Sequence, residues 1–179
     1  FLVCRPPVCS VFPAVFYCSA MSSQTESTEI VLWKEIRQRA AQRAADEPVL
    51  ASFLHATILN HQQLSEAVSF HLAGKLSSET LPAMQLREIM QEAMAVEPGI
   101  LQAICADMRA VLERDPAVKC CLVPLLFLKG IHALAAWRMA SWLWRQGREL
   151  MALYLQNRIS EKFGVDRSEE HTSELQSRG

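Results

Sequence analysis

Two kinds of residue in this chain could do chemistry: a carboxylate set in a proline turn, and a scatter of imidazoles and thiols. The carboxylate is Asp115, in Arg114-Asp115-Pro116-Ala117. A carboxylate that ends a helix just before proline is displayed at a surface or cleft. There it can accept hydrogen bonds from the ammonium or hydroxyl of a small substrate. The same four residues also describe a plain solvated turn, in which Arg114 and Asp115 face water. Residue type and position alone leave both readings open.

The imidazoles and thiols are less directed. His55 and His61 are six residues apart, which does not place two ligands on one helix face, and His71 and His132 stand alone. None lies in an H-E-x-x-H pattern or beside a nucleophile motif, so hydrogen-bonded structural roles are expected for them. Of six cysteines, Cys4, Cys9 and Cys18 fall near the start and Cys105, Cys120 and Cys121 in the body. No C-x-x-C pair and no zinc-finger spacing with histidine occurs, so no metal site is expected. The adjacent Cys120 and Cys121 could pair or be redox-active; the expectation is small, largely buried thiols in a reducing cytoplasm. Glycine-rich phosphate loops and a G-x-S-x-G nucleophile turn are absent from the sequence.

The elements that must position Asp115 read as helices. The 179 residues are 50% hydrophobic and 21% charged, which suits one domain with a sizeable core. Aromatics at 7%, with 6 Gly and 8 Pro, leave little turn chemistry for a sheet. A formal net charge of −1 gives no electrostatic reason to expect nucleic acid or an anionic membrane. The longest charge-poor run of the body, Cys120 to Leu128, is far below the ~20 residues of a membrane span.

In chain order, Ile30, Trp33, Ile36, Ala40 and Ala44 recur at helical steps, and Asp46-Glu47-Pro48 closes that helix. A second helix is expected from Val49 to Leu59. Asn60 with Gln63 reads as a capping box for a third, His61 to Ala73, with Gly74 as its stop. Pro82 opens a helix over Ala83 to Ala95 with Leu86, Ile89, Met90 and Ala93 on one face. After Glu97-Pro98 comes Gly99 to Glu113, striped by Ile100, Ile104, Met108, Val111 and Leu112. A long apolar helix, Leu125 to Gln146, and a last one reaching Phe163 complete an all-α multi-helix bundle.

The two ends read differently from this body. Residues 1–20 lack acidic residues and are broken by Pro6, Pro7 and Pro13. A signal peptide is one reading; a single Arg5 and no initiator Met favour an untranslated leader, with Met21 as the start. Residues 167–179, Arg167 to Gly179, carry no repeat of small and aliphatic residues and look like a translated adapter. His171 in that tail is not expected to be catalytic.

Glu113-Arg114-Asp115-Pro116-Ala117, Leu128-Lys129-Gly130-Ile131-His132-Ala133-Leu134, Trp142 to Arg148, Leu155-Gln156-Asn157-Arg158-Ile159-Ser160 and Phe163-Gly164-Val165-Asp166 together closely resemble serine O-acetyltransferases in order and spacing. Glu47 to Phe53 and Lys75 to Ser78 resemble the same family, so the resemblance spans about Glu29 to Asp166. It implies one helical domain, about Met21 to Asp166, followed in the family by a left-handed parallel β-helix of hexapeptide repeats that is absent from this chain. The implied reaction moves acetyl from acetyl-CoA to the hydroxyl of L-serine, giving O-acetylserine for cysteine synthesis.

The resemblance also implies that Asp115 helps hold the serine ammonium. The general-base histidine comes from an L-D-H-A motif in the β-helix, so no catalytic residue and no cofactor groove is expected in this chain. Implied partners are further copies, as a hexamer built from two trimers meeting through their helical domains, and O-acetylserine sulfhydrylase, bound through the far C-terminus. The chain alone is expected to be inactive. The alternative is a non-catalytic oligomerisation module that uses exposed apolar helix faces along Leu125 to Trp144.

Overall fold

The computed structural model describes residues 15–165. Residues 1–14 and 166–179 lie outside the described residues, and with them Cys4, Cys9, Asp166, His171 and the tail read as an adapter. Eight α-helices make up the described architecture, and no strand occurs among the described residues. The helices are α1 (Val15–Asp46), α2 (Pro48–Leu54), α3 (Leu64–Leu76), α4 (Ala83–Val96), α5 (Gly99–Arg114), α6 (Leu122–Leu126), α7 (Lys129–Arg145) and α8 (Glu149–Phe163). None is long and apolar enough to cross a membrane.

Helix α1 carries helical backbone back across the boundary expected at Met21 and ends, as expected, before Pro48. It buries Leu32, Trp33, Ile36 and Ala40. Ile30, expected in that stripe, is 54% exposed. At 100° per residue it lies about 120° around the helix from Ile36, off the buried face. Polar bonds then fix the helix on its neighbours. Trp33 Nε1 donates to Gln62 O at 2.7 Å, Arg37 donates to His61 O, and Arg109 of α5 donates to Thr28 O at 2.9 Å.

Pro48 opens α2, where its missing N–H costs nothing. The helix expected from Val49 to Leu59 exists, but its second half, His55–Leu59, is a π-helical turn. The Asn60 amide reaches back five residues to His55 O at 3.0 Å. Asn60 is therefore still helical and is not an N-cap. The capping box sits three residues later than expected. Gln63 caps α3, and the Glu66 carboxylate accepts the amides of Gln62 (2.9 Å) and Gln63 (3.4 Å).

The C-terminus of α3 is also later than expected, at Leu76, with Gly74 inside the helix. The stop comes from another helix. Arg158 of α8 donates to Leu76 O (3.0 Å) and Ser77 O (2.6 Å), satisfying carbonyls that a helix end leaves bare. Helices α3 and α4 pack as one neighbouring pair and α7 and α8 as another, the second joined through Gly147 at φ +74°. Their shared core includes Leu72, Leu86, Met90, Ile104, Met139 and Leu143, all essentially inaccessible. Val111 and Leu112 of the α5 stripe are only partly buried, and Leu101 and Cys105 are buried in addition to the expected residues.

The single helix expected over Leu125 to Gln146 is two. A short α6 stops at Leu126, Leu128 is extended (φ −81°, ψ 106°), and α7 restarts at Lys129. The break is held by side chains. His132 Nε2 donates to Leu125 O at 2.8 Å and His71 Nε2 to Leu126 O at 3.1 Å. These are carbonyls that an unbroken helix would have paired internally.

Candidate functional site

Asp115 is the residue after α5, and its geometry follows from its neighbour. Proline at 116 disfavours helix at 115, so Asp115 leaves the helix at φ −104°, ψ 103°. Its amide still closes on Val111 O at 2.9 Å. Its Oδ1 then accepts the Ala117 amide at 2.9 Å, and its carbonyl accepts the Val118 amide at 3.0 Å. An Asx turn of this kind fixes the carboxylate against its own backbone. Val118, which follows, is buried.

One carboxylate oxygen is therefore occupied, while Oδ2 has no protein donor among the described residues, and the side chain is exposed. It opens on a shallow hollow of about 370 Å³ with Arg114 and Pro116 at the rim and Val111 and Leu128 on the wall. Leu128 is the extended residue between α6 and α7. The hollow offers a fixed anion, an adjacent guanidinium and an apolar wall. That set suits a small zwitterion, with its ammonium toward Asp115. No imidazole or thiol lines it.

The histidines lie elsewhere. His61 Nε2 donates to Ala56 O at 3.1 Å, and His71 and His132 serve the α6–α7 break, so all three have the structural hydrogen bonds expected of them. A carbonyl only accepts, so Nε2 carries the proton in each ring. Burial pushes their basicity down, His71 to about 4. His55 is exposed. The body cysteines are free thiols, with Cys105 and Cys121 buried and Cys120 partly so. Burial pushes the thiols of Cys105 and Cys121 up to about 12, which keeps them protonated and unreactive. No group of three or more His, Cys, Asp or Glu side chains among the described residues could hold a metal ion.

Fold and site together define an all-helical domain that presents one fixed carboxylate beside a hollow. Residues 32–136 match the family model described as serine acetyltransferase, N-terminal. The serine acetyltransferase of Haemophilus influenzae is 50% identical over 135 residues, which is 75% of this chain and 51% of that protein. A solved serine acetyltransferase in complex with CoA superposes with a TM-score of 0.75 at 48% identity, covering 77% of this chain and 58% of that one. The Neisseria gonorrhoeae enzyme in complex with serine gives a TM-score of 0.74 at 45% identity, over 75% and 56% of the two chains. This chain belongs to the serine acetyltransferase family, of which it carries the N-terminal helical domain. It spans about half the length of the curated relatives it matches.

Sequence reasoning placed the Asp115 turn but missed two further features. One is Leu128 as a wall of the hollow. The other is a second, cationic pocket bounded by α2, α3 and α4, for which Lys75 and Arg87 were the only sequence signal.

Proposed function

We propose that this domain serves an enzyme that transfers acetyl from acetyl-CoA to L-serine, and that Asp115 receives the ammonium of serine. The observation that carries the reading is the Asx turn, which holds one oxygen of Asp115 and leaves the other without a protein donor, in a residue that lines the hollow. A relative solved with serine and another solved with CoA supply the substrate classes. In the reaction the serine hydroxyl oxygen bonds to the thioester carbonyl carbon, its proton passes to a base, and CoA leaves as the thiolate. A hydroxyl is a poor nucleophile without such a base, and the Asp115 hollow contains none. Acetyl-CoA is a co-substrate here, not a resident cofactor.

On this reading the chain by itself turns over nothing. Incubated with L-serine and acetyl-CoA it releases no CoA thiol. Joined after residue 165 to the C-terminal half of the Haemophilus influenzae relative, it does. Turnover by the chain alone, or none by the joined protein when it is folded, counts against the reading.

A second role, as an assembly module, rests on a different observation. A groove of about 790 Å³ between α7 and α8 exposes Leu134, Trp137, Leu153 and Val165, each roughly half accessible. Self-association into the two trimers expected from the family, within the cytoplasm, would cover apolar surface of this kind. An O-acetylserine sulfhydrylase partner belongs to the same reading of the whole protein.

A further inference from the structure

A pocket of about 660 Å³ lies where α2 and its π-helical turn meet α3 and α4, away from Asp115. Its apolar walls are Phe53, Phe70 and Met84, and these stay 38%, 37% and 70% exposed. Three large apolar side chains, each partly open to water, thus border one hollow of ligand size.

Its charges are all of one sign. Lys75 and Arg87 line the pocket, and no carboxylate does. Neither Lys75 nor Arg87 forms an ion pair among the described residues, so both charges stand uncompensated at the pocket. The Arg87 guanidinium lies over the Phe70 ring at 5.7 Å, and its buried Nε has no hydrogen-bond partner. A guanidinium held over an aromatic ring still has its terminal N–H groups to offer a carboxylate. The field of the two cations reaches the neighbouring rings. The charge on Arg87 helps hold His61 below the ordinary histidine range, and Lys75 does the same for His71, in each case adding to burial.

We propose that this pocket binds a small organic monocarboxylate with an aromatic or branched apolar body, its carboxylate held by Lys75 and Arg87 and its body against Phe53 and Met84. The site is independent of the acetyl-transfer reading and survives its failure. The shape excludes nothing on the scale of a single ring and a short chain, while the absence of any carboxylate selects against cationic ligands.

Calorimetric titration of the whole chain tests this, with sodium 4-phenylbutyrate as the probe and 4-phenylbutyramide as its uncharged match. The acid is expected to bind saturably at one site per chain, and the amide about tenfold more weakly. Arg87→Gln and Lys75→Gln should each weaken the acid by about tenfold and leave the amide unchanged. Equal affinity for acid and amide, or no saturable binding of the acid at millimolar concentration, overturns the proposal. So does acid affinity that falls as protein concentration rises, because a second copy would then occupy the pocket. If either variant fails to fold, the comparison of acid with amide on the unaltered chain decides alone.

Discussion

His71 and His132 meet edge to face, 5.1 Å between ring centroids, and donate Nε2–H to the successive carbonyls of Leu126 and Leu125. The pair takes up carbonyls at the end of α6, next to the break that carries Leu128, a wall of the Asp115 hollow. Both rings are buried, and His132 Nδ1 has no partner. A second proton on either ring would place a charge in the core, beside the other ring and near Lys75.

That arrangement fixes an acid sensitivity. Burial first, then His132 and Lys75, bring His71 from 6.5 down to about 4. Between those values the unfolded chain binds more protons than the folded one. Stability from this group is therefore complete above pH 6.5 and is lost as pH falls toward 4. Urea unfolding should show a loss of roughly 3 kcal/mol over that interval. His71→Gln, which keeps an N–H for Leu126 O but cannot titrate, should make the curve shallower, while His61 and His132 still titrate below their ordinary range. An unchanged slope in that variant contradicts the assignment.

Arg158 joins α8 to the end of α3. Its guanidinium serves Leu76 O, Ser77 O and the Glu161 carboxylate, with only 11% of the side chain accessible. Replacing it with Met keeps the stem and strips the donors, leaving two carbonyls unpaired. The expected cost is about 2–3 kcal/mol in chemical denaturation. Hydrogen exchange should quicken at the last turn of α3 before it does elsewhere. A cost below about half a kcal/mol, the usual scale of a surface change, would refute the capping role.

The groove between α7 and α8 gives a test of assembly. Light scattering of the unaltered chain should report a mass above one copy. Trp137→Glu, at a position already 55% exposed, should lower that mass without lowering the melting temperature, since it empties no core site. A strictly monomeric unaltered chain counts against the assembly role.

Some of this was legible in the residues. Pro48 and Pro98 mark breaks and Pro82 a helix start because each fixes φ and lacks an amide, and the structure starts a helix beside each. Asp115 was legible for the same reason, through Pro116. The start of α3 was not, because the π-helical turn keeps Asn60 in the helix and hands the cap to Gln63. Nor was its end, where a distant Arg158 overrides the local signal of Gly74. The α6–α7 break was hidden for a similar reason. An apolar run shows no stop when the groups that hold its end, His71 and His132, are brought there by tertiary packing. Local rules failed wherever a side chain from another helix completed the backbone hydrogen bonding.

The central claim concerns one oxygen of Asp115, and its most direct test is the serine KM of Asp115→Asn. The measurement uses the protein joined to the C-terminal half of the Haemophilus influenzae relative. Asparagine keeps the Oδ1 bond to the Ala117 amide, and so the turn, while removing the charge. If Asp115 holds the serine ammonium, KM for serine rises about 30-fold or more and KM for acetyl-CoA does not move. A serine KM unchanged in a variant that folds and melts normally would contradict the account.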